Sequence, residues 1–223
     1  MLVYPMRLSL ASIPGLLALA LTGLLLGAPA AATPAGTGPA ERGFPLIQEY
    51  LPTPENADSQ SFGITHDPRG LMYIANLGGV LIYDGAGWRL IPVGPSRVAF
   101  SIASDRQGRI AVGGIEDFGY LAPDEQGALG YISLLPLLPP GGRRPGQTVR
   151  IEPVPQGFLF LNQSQLLLWD GAHLRIVAES QSPRPWAQIF ATGGTAYVWL
   201  AERGLTRLQG NSLRPVPGGE VFR

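Results

Sequence analysis

Short apolar runs alternate with tight polar turns from residue 61 onward, and the same order of runs and turns occurs four times. The four copies span residues 61–91, 98–134, 149–177 and 186–216. In the first copy the apolar runs are Ser61–His66, Leu71–Asn76, Gly79–Asp84 and Trp88–Pro92, separated by the turns DPRG, NLGG and DGAG. Short runs rich in Ile, Val, Leu and Tyr between such turns predict antiparallel β-strands. No stretch of the repeats spaces its apolar residues with the 3.6-residue period of an α-helix.

The spacing of the copies indicates one supersecondary unit repeated along the chain. The glycines of the first turn in each copy are Gly70, Gly108, Gly157 and Gly194, which are 38, 49 and 37 residues apart. The longest step contains Leu134–Gln147, a Pro/Gly/Arg stretch that we interpret as an inserted loop. Four antiparallel strands in about 40 residues are typical of a β-propeller blade. We therefore predict an all-β fold, a β-propeller with about four four-stranded blades.

The sequence GGEVFR at residues 218–223 suggests that the blades continue. The apolar pair Val221–Phe222 follows a glycine-rich turn in the way that a new strand would. An arc of four blades also exposes sheet edges that a complete propeller would protect. We expect these blades to belong to an incomplete or larger propeller, as a fragment, a truncated gene product or one part of a longer receptor.

The first 32 residues differ in character from the repeats. Arg7 precedes the apolar stretch Leu16–Leu26, and small residues follow at Ala28, Ala30 and Ala32. This order is typical of a secretory signal peptide over residues 1–32, with cleavage after Ala30 or Ala32; an uncleaved N-terminal anchor is the alternative. Residues 33–43 are predicted to be a flexible spacer and residues 44–223 to be the blades. Either interpretation places the blades outside the cytoplasmic membrane, in the periplasm or secreted from a bacterium.

Composition removes several classes of function. The chain has no cysteine, which excludes disulfide scaffolds, thiolate metal sites and cysteine nucleophiles. Its formal net charge is zero, so we expect no nucleic-acid partner, and we expect membrane contact through the N-terminal segment alone if that segment is uncleaved. The two histidines, His66 and His173, stand singly in their repeats, and we interpret them as structural or surface residues. We predict no cofactor and no bound metal.

Carboxylates recur at the turns of successive copies, at Asp67, Asp84, Asp105 and Asp170. An Asp in such a turn can accept a hydrogen bond from the backbone two residues further on, and this recurrence favours a structural role over acid–base catalysis. Glu116 and Asp117 are adjacent carboxylates, but neighbouring residues on a strand point to opposite sides and make a poor catalytic pair. We predict no catalytic residues and no enzymatic activity. The strand aromatics are expected to fill the space between blades.

A ligand site is predicted on one face of the propeller. Loops that lead into the first strand of each blade and loops that join the second and third strands lie on the same face. The candidate ligand-binding residues there are Arg97, Glu116, Arg150, Asn162 and Trp186. Amides, charges of both signs and a stacking ring suit a glycan or a short peptide. The alternative is that these are ordinary solvated loop residues.

Three stretches of the chain carry a resemblance to a known family. They are GITHDPRGLMYIANLGGVLIYDGAGWRLI (Gly63 to Ile91), GRIAVGGIEDFGYLAPDEQGALGYISL (Gly108 to Leu134) and the late AERGLTRLQGN…PVPGGEVF (Ala201 to Phe222), of which the first two are the more specific. They resemble the two-component regulator propeller, the periplasmic sensor input region of hybrid histidine kinases and related bacterial receptors. The family implies two stacked propellers, a small β-sandwich, a membrane span and a cytoplasmic output domain. This chain matches the N-terminal part of that plan, so the resemblance implies sensory input and no output activity.

Three functions follow from these observations. The first is a sensory or ligand-binding propeller region of a bacterial signal-transduction receptor, without its own output domain. The second is a periplasmic propeller enzyme, a lyase or hydrolase, which would need converging acids, histidines or a divalent ion. The third is a scaffold that binds a signalling partner, or a second copy of itself, along an open blade.

Overall fold

The computed structural model describes residues 48–180 and 186–223. The predicted signal peptide (1–32) and spacer (33–43) lie outside the described residues. Contacts between Cα atoms group Tyr50–Arg223 into one compact unit that contains all of the strands. A second unit, Met1–Glu49, is described at residues 48 and 49 alone. Within the described ranges, no helix has the length and apolar character needed to cross a membrane.

The described residues form four sheets, each of four consecutive antiparallel strands, which we call blades 1 to 4. Blade 1 comprises β1 (Ser61–His66), β2 (Met72–Asn76), β3 (Gly79–Tyr83) and β4 (Trp88–Ile91). Blade 2 comprises β5 (Ser101–Ser104), β6 (Ile110–Gly113), β7 (Phe118–Pro123) and β8 (Leu129–Ser133). Blade 3 comprises β9 (Thr148–Val154), β10 (Gly157–Asn162), β11 (Gln165–Trp169) and β12 (Leu174–Glu179). Blade 4 comprises β13 (Ala187–Thr192), β14 (Thr195–Leu200), β15 (Gly204–Gln209) and β16 (Ser212–Pro215).

The blades pack face to face because successive side chains on each central strand point to opposite sides of the sheet. On β10, Phe158 and Phe160 pack in a cluster with residues of blade 2. Leu159 and Leu161 alternate with them and pack in a cluster with residues of blade 4. A third cluster joins blades 1 and 2. Since β10 faces a neighbour on both sides, all six of its residues are buried.

Two segments outside the strands form short 3₁₀ helices, at Leu135–Leu137 and at Gly219–Phe222. The first lies in the predicted inserted loop, which runs without a strand until Thr148 and so confirms that interpretation. The second corrects the expectation that Val221–Phe222 starts another strand. Gly218 has a φ of 76°, and this left-handed turn directs the chain into a tight helix that packs against β15.

The strand aromatics do not all lie between blades. Tyr73, Phe118, Phe160 and Trp169 are buried in the inter-blade clusters, as predicted. The ring of Tyr120 packs at their margin and stacks on Trp169, with centroids 4.6 Å apart. Four other rings lie on the outer faces of blades 1 and 4, on which no other sheet of the described residues packs: Tyr83, Trp88, Tyr197 and Trp199.

A candidate ligand-binding cleft

The turns between the first and second strands of all four blades converge on one cleft of about 790 Å³. Because the blades are arranged in an arc, their innermost strands end side by side and bring these four turns together. The lining residues are His66, Pro68, Ser104, Asp105, Arg106, Gln107, Arg109, Glu152, Pro153, Val154, Pro155, Ala191, Thr192, Gly193 and Gly194. The volume falls in the range of small-molecule sites, and the lining combines charged, amide, hydroxyl and proline groups.

An ion pair on blade 2 fixes one wall of the cleft. Asp105 Oδ2 accepts a hydrogen bond from Arg109 Nε at 2.6 Å, and Asp105 Oδ1 accepts from the backbone N–H groups of Gln107 and Arg109. The Arg109 guanidinium lies over the rings of Phe158 and Trp169, 5.5 and 5.8 Å from their centroids. This cation–π contact holds the guanidinium against blade 3.

Hydrogen bonds between blades join the remaining walls. Thr65 Oγ1 lies 2.7 Å from Ser104 Oγ, and the Ser104 hydroxyl also donates to the backbone oxygen of His66 at 2.8 Å. On the other side, the backbone N–H of Ala191 donates to Glu152 Oε1 at 3.1 Å. Glu152 Oε2 is 3.5 Å from Arg150 Nη2. Blades 1 and 2, and blades 3 and 4, are therefore linked at the rim of the cleft.

Arg106 is the cleft residue best placed to meet a ligand. Its side chain is exposed, and it makes no ion pair among residues 48–180 and 186–223. By contrast, Asp105 and Glu152 already accept the hydrogen bonds described above. His66 is also exposed, and its Nδ1 lies 3.2 Å from the backbone oxygen of Asp67. A guanidinium that is free to turn can pair with a carboxylate or a diol of a bound molecule.

The turn carboxylates have the structural role that the sequence predicts. Asp67, Asp84, Asp105 and Asp170 each accept a hydrogen bond from the backbone N–H two residues further on. Asp170 accepts a second from His173 N–H, and the backbone hydrogen bonds from His173 and Ala172 lower the pKa of Asp170 to about 2. Asp170 therefore stays ionised at neutral pH, and the hydrogen bonds of all four aspartates close their turns.

Asp67 is the most buried of these carboxylates, with 1% of its surface exposed. Burial raises the pKa of Asp67, but hydrogen bonds from the Arg69 side chain and from the backbone of Leu71 and Arg69 outweigh that effect, so its pKa lies below the ordinary value. The buried Tyr73 hydroxyl also donates to Asp67 Oδ2, at 3.2 Å. Burial and the charge of Asp67 raise the pKa of Tyr73.

Arg97, Glu116 and Arg150, three of the five predicted ligand residues, are exposed. Arg97 and Glu116 both have a positive φ, of 65° and 57°, in loops that meet where Ser96 Oγ donates to the backbone oxygen of Ile115 at 3.5 Å. These loops lead into the first strand and join the second and third strands of blade 2, as expected. Arg150 lies on β9, beside Glu152 of the cleft. The ligand-binding role of these residues remains a prediction.

Asn162 and Trp186, the other two predicted ligand residues, come together but are buried, with 1% and 6% of their surfaces exposed. Trp186 Nε1 donates to the backbone oxygen of Asn162 at 3.2 Å, and the indole packs between blades 3 and 4. Asn162 Oδ1 accepts from the backbone N–H groups of Ser164 and Gln165. These contacts tie the two residues to the structure of blades 3 and 4.

Sequence reasoning did not predict the cleft, because its walls come from the opposite ends of the innermost strands. A signal was present in the turns DPRG and DRQG at residues 67–70 and 105–108, which recur at the same position of two copies. Their aspartates were correctly interpreted as turn residues. The neighbouring Arg106 and Arg109 line the cleft, and nothing in the local pattern distinguishes them from solvated turn residues.

No protein-family model matches the chain, and no curated protein matches it. Solved structures are similar in fold. The extracellular domain of the putative hybrid two component system BT4673 from B. thetaiotaomicron is 14% identical, with a TM-score of 0.50. That of BT3049 from the same organism is also 14% identical, with a TM-score of 0.50. A catalytically inactive virginiamycin B lyase from Staphylococcus aureus, solved with quinupristin, is 11% identical with a TM-score of 0.52.

These alignments cover 77%, 74% and 75% of this chain. The described residues form an arc of a β-propeller. The arc spans 22% and 24% of the two sensor chains and 59% of the lyase chain. At these identities the likeness establishes the fold, and it confirms the predicted all-β architecture of four four-stranded blades. The neighbours include both sensor domains and a lyase, so the fold by itself does not choose between these functions.

Proposed function

We propose that the propeller arc is the extracytoplasmic sensory region of a bacterial signal-transduction receptor and binds a small polar ligand, a glycan or a short peptide. The observation that carries the proposal is the cleft of about 790 Å³, to which every blade contributes a turn. A ligand bound there would contact four blades at once. Binding would therefore change how the blades pack against one another. A receptor needs such a ligand-dependent change in structure in order to signal that its site is occupied.

The chemistry of the cleft supports a neutral or weakly charged polar ligand. Two of its charged groups, Asp105 and Arg109, neutralise each other through their hydrogen bond, while Arg106 remains available. The backbone at Gly193 and Gly194 lies at the rim without a side chain to block an approaching ligand. Hydroxyl and amide groups of a sugar or peptide can replace water at such a surface.

Thermal shift and calorimetric titration against a panel of oligosaccharides and short peptides test this proposal. We expect a binding ligand to raise the unfolding midpoint of the unmodified chain, and Arg106→Ala to weaken its binding by about tenfold, the loss typical of one charged hydrogen bond. Arg97→Asn is the matched control on the opposite face, because asparagine tolerates the positive φ there. If Arg97→Asn abolished binding and Arg106→Ala did not, the ligand would occupy the loops predicted from the sequence.

A lyase or hydrolase is the second candidate, because His66 and Glu152 both line the cleft and could exchange protons with a substrate. Turnover of a panel ligand, followed by mass spectrometry, would distinguish it from a sensor. Loss of turnover in His66→Gln, with binding retained, would establish the enzymatic function. Binding without any change in ligand mass supports the sensory function.

A further inference from the structure

The two carboxylates that line the cleft are already paired with donors of the chain itself. Asp105 accepts hydrogen bonds at both of its oxygens, from the backbone at Oδ1 and from Arg109 Nε at Oδ2. Glu152 Oε1 accepts from a backbone N–H of blade 4, and Glu152 Oε2 lies 3.5 Å from Arg150 Nη2. Each carboxylate therefore has an arginine beside it, and neither is an uncompensated negative charge that would attract a cationic ligand.

Arg106 differs from the other charged side chains that line the cleft. Its guanidinium is exposed and makes neither an ion pair nor a hydrogen bond within residues 48–180 and 186–223. Blade 4 adds no charge to the lining, because it contributes the uncharged residues 191–194. When Arg150 is counted with its partner, three arginines stand against two carboxylates. One positive charge is left over, on Arg106.

The carboxylates in the neighbouring turns have their own arginines. Asp67 directly precedes a residue of the cleft lining, and its Oδ2 accepts from Arg69 Nη2 at 2.7 Å. In the turn that follows β11, Asp170 Oδ2 accepts from Arg175 Nη1 at 2.9 Å. Because these nearby acids are paired locally, the charge of Arg106 stays free for a ligand.

Uncharged side chains of the cleft can add hydrogen bonds to an anion. Gln107 follows Arg106 in the same turn, and Thr192 lies on blade 4; both are exposed and line the cleft. Neither side chain makes a hydrogen bond to another described residue. An amide N–H and a hydroxyl can each donate to a ligand oxygen. The free groups of the cleft are thus one cation and two possible donors, which favours a ligand rich in acceptors.

We propose that the ligand of the cleft carries a carboxylate that pairs with Arg106, as an acidic sugar or the carboxyl end of a short peptide does. This inference rests on the proposed function and narrows its ligand class from polar molecules in general to acidic ones. A guanidinium binds a carboxylate through two parallel hydrogen bonds, which are charge-assisted and stronger than those to a neutral hydroxyl. A cationic ligand would meet the surplus positive charge and is disfavoured.

Calorimetric titration of the full chain with matched pairs of ligands tests this inference. One pair is trigalacturonate and its amide, and the other is acetyl-trialanine and its C-terminal amide. The two members of a pair have nearly the same size and differ in the charge of the carboxyl group. In one of the pairs we expect the acid to bind about tenfold more tightly than the amide, the difference typical of a hydrogen bond to a charged group. The pair that shows this difference identifies the source of the carboxylate, and high salt should reduce the difference.

Substitutions of Arg106 test whether this residue causes the preference. Arg106→Gln retains N–H donors without the charge, so it should lower the affinity for the acid to that for the amide and leave the affinity for the amide unchanged. Arg106→Glu should reverse the preference, because a carboxylate would then face the acid. The control Arg144→Gln removes an exposed arginine of the loop between blades 2 and 3, outside the cleft lining, and should retain the full preference.

The possible failures separate this inference from the proposed function. Equal binding of acid and amide by the unmodified chain, or a preference that persists in Arg106→Gln, would overturn the pairing with Arg106, while binding itself would still support the proposed function. If no acid of either pair binds, the inference is overturned, and the neutral oligosaccharides and peptides of the broader panel decide the proposed function separately.

Discussion

Removing the Asp67 carboxylate tests whether the stability that a turn aspartate provides depends on the burial of the groups that donate hydrogen bonds to it. In Asp67→Ala, the backbone N–H groups of Arg69 and Leu71 lose their acceptor, which costs about 1 kcal/mol each. The hydroxyl of Tyr73, a residue that is 1% exposed, is left without its partner, which costs a further ~1–3 kcal/mol. The expected loss is therefore ~3–5 kcal/mol, equivalent to a fall of about 10 °C in the unfolding midpoint.

Asp84→Ala is the matched comparison, because Asp84 also accepts two backbone hydrogen bonds but is exposed. The N–H groups that it releases can bind water, so this substitution should cost about 1 kcal/mol or less. Urea unfolding followed by tryptophan fluorescence measures both losses. The double variant Asp67→Ala/Tyr73→Phe removes the stranded hydroxyl and should recover part of the loss. Equal losses for Asp67→Ala and Asp84→Ala would refute the reasoning.

Three further predictions concern backbone, core and pH. Gly157→Ala places a Cβ against the carbonyl oxygen of Trp169 and should prevent folding. Gly85→Ala also has a positive φ but open space around the new Cβ, so it should lower the free energy of unfolding by about 1–2 kcal/mol. Soluble yield and thermal unfolding measure the difference between the two variants. Phe160→Ala should cost about 3–5 kcal/mol in urea unfolding, since its ring is fully buried between blades 2 and 3. The pKa of Asp170 is lowered to about 2 in the folded state, so its contribution is present above pH ~4 and is lost as the pH falls toward 2; acid unfolding of Asp170→Asn should show a weaker dependence over that interval.

The strand pattern was predictable because it depends on local sequence. The expected strands of the first copy match β1 to β4 within one residue at each end, since the DPRG, NLGG and DGAG turns determine where each strand stops. The expected strand at Val221–Phe222 was wrong, because the positive φ of Gly218 turns the chain into a 3₁₀ helix. Local polarity alone could not show which of the two glycines would bend the backbone.

The candidate site was less predictable, because burial is decided between blades. Asn162 and Trp186 are polar or amphipathic residues beside loops, and their neighbours in sequence give no sign that blade 4 buries them. Conversely, Arg106 and Arg109 lie in the same turn but have different surroundings. Arg109 packs on the ring of Phe158, which is 49 residues further along the sequence, whereas Arg106 is exposed. Such long-range packing determines which polar side chains a ligand can reach.

Every described sheet is built from strands that are consecutive in the sequence, and none takes a strand from another blade. A duplication or deletion that starts and ends in the connections between blades would therefore leave each hydrogen-bonded sheet intact. Adding or losing one blade would change the inter-blade packing only where that blade is inserted or removed. Most of the existing sequence would need no change. An arc with this connectivity can gain or lose length in whole blades during evolution, since the genetic unit and the folding unit coincide.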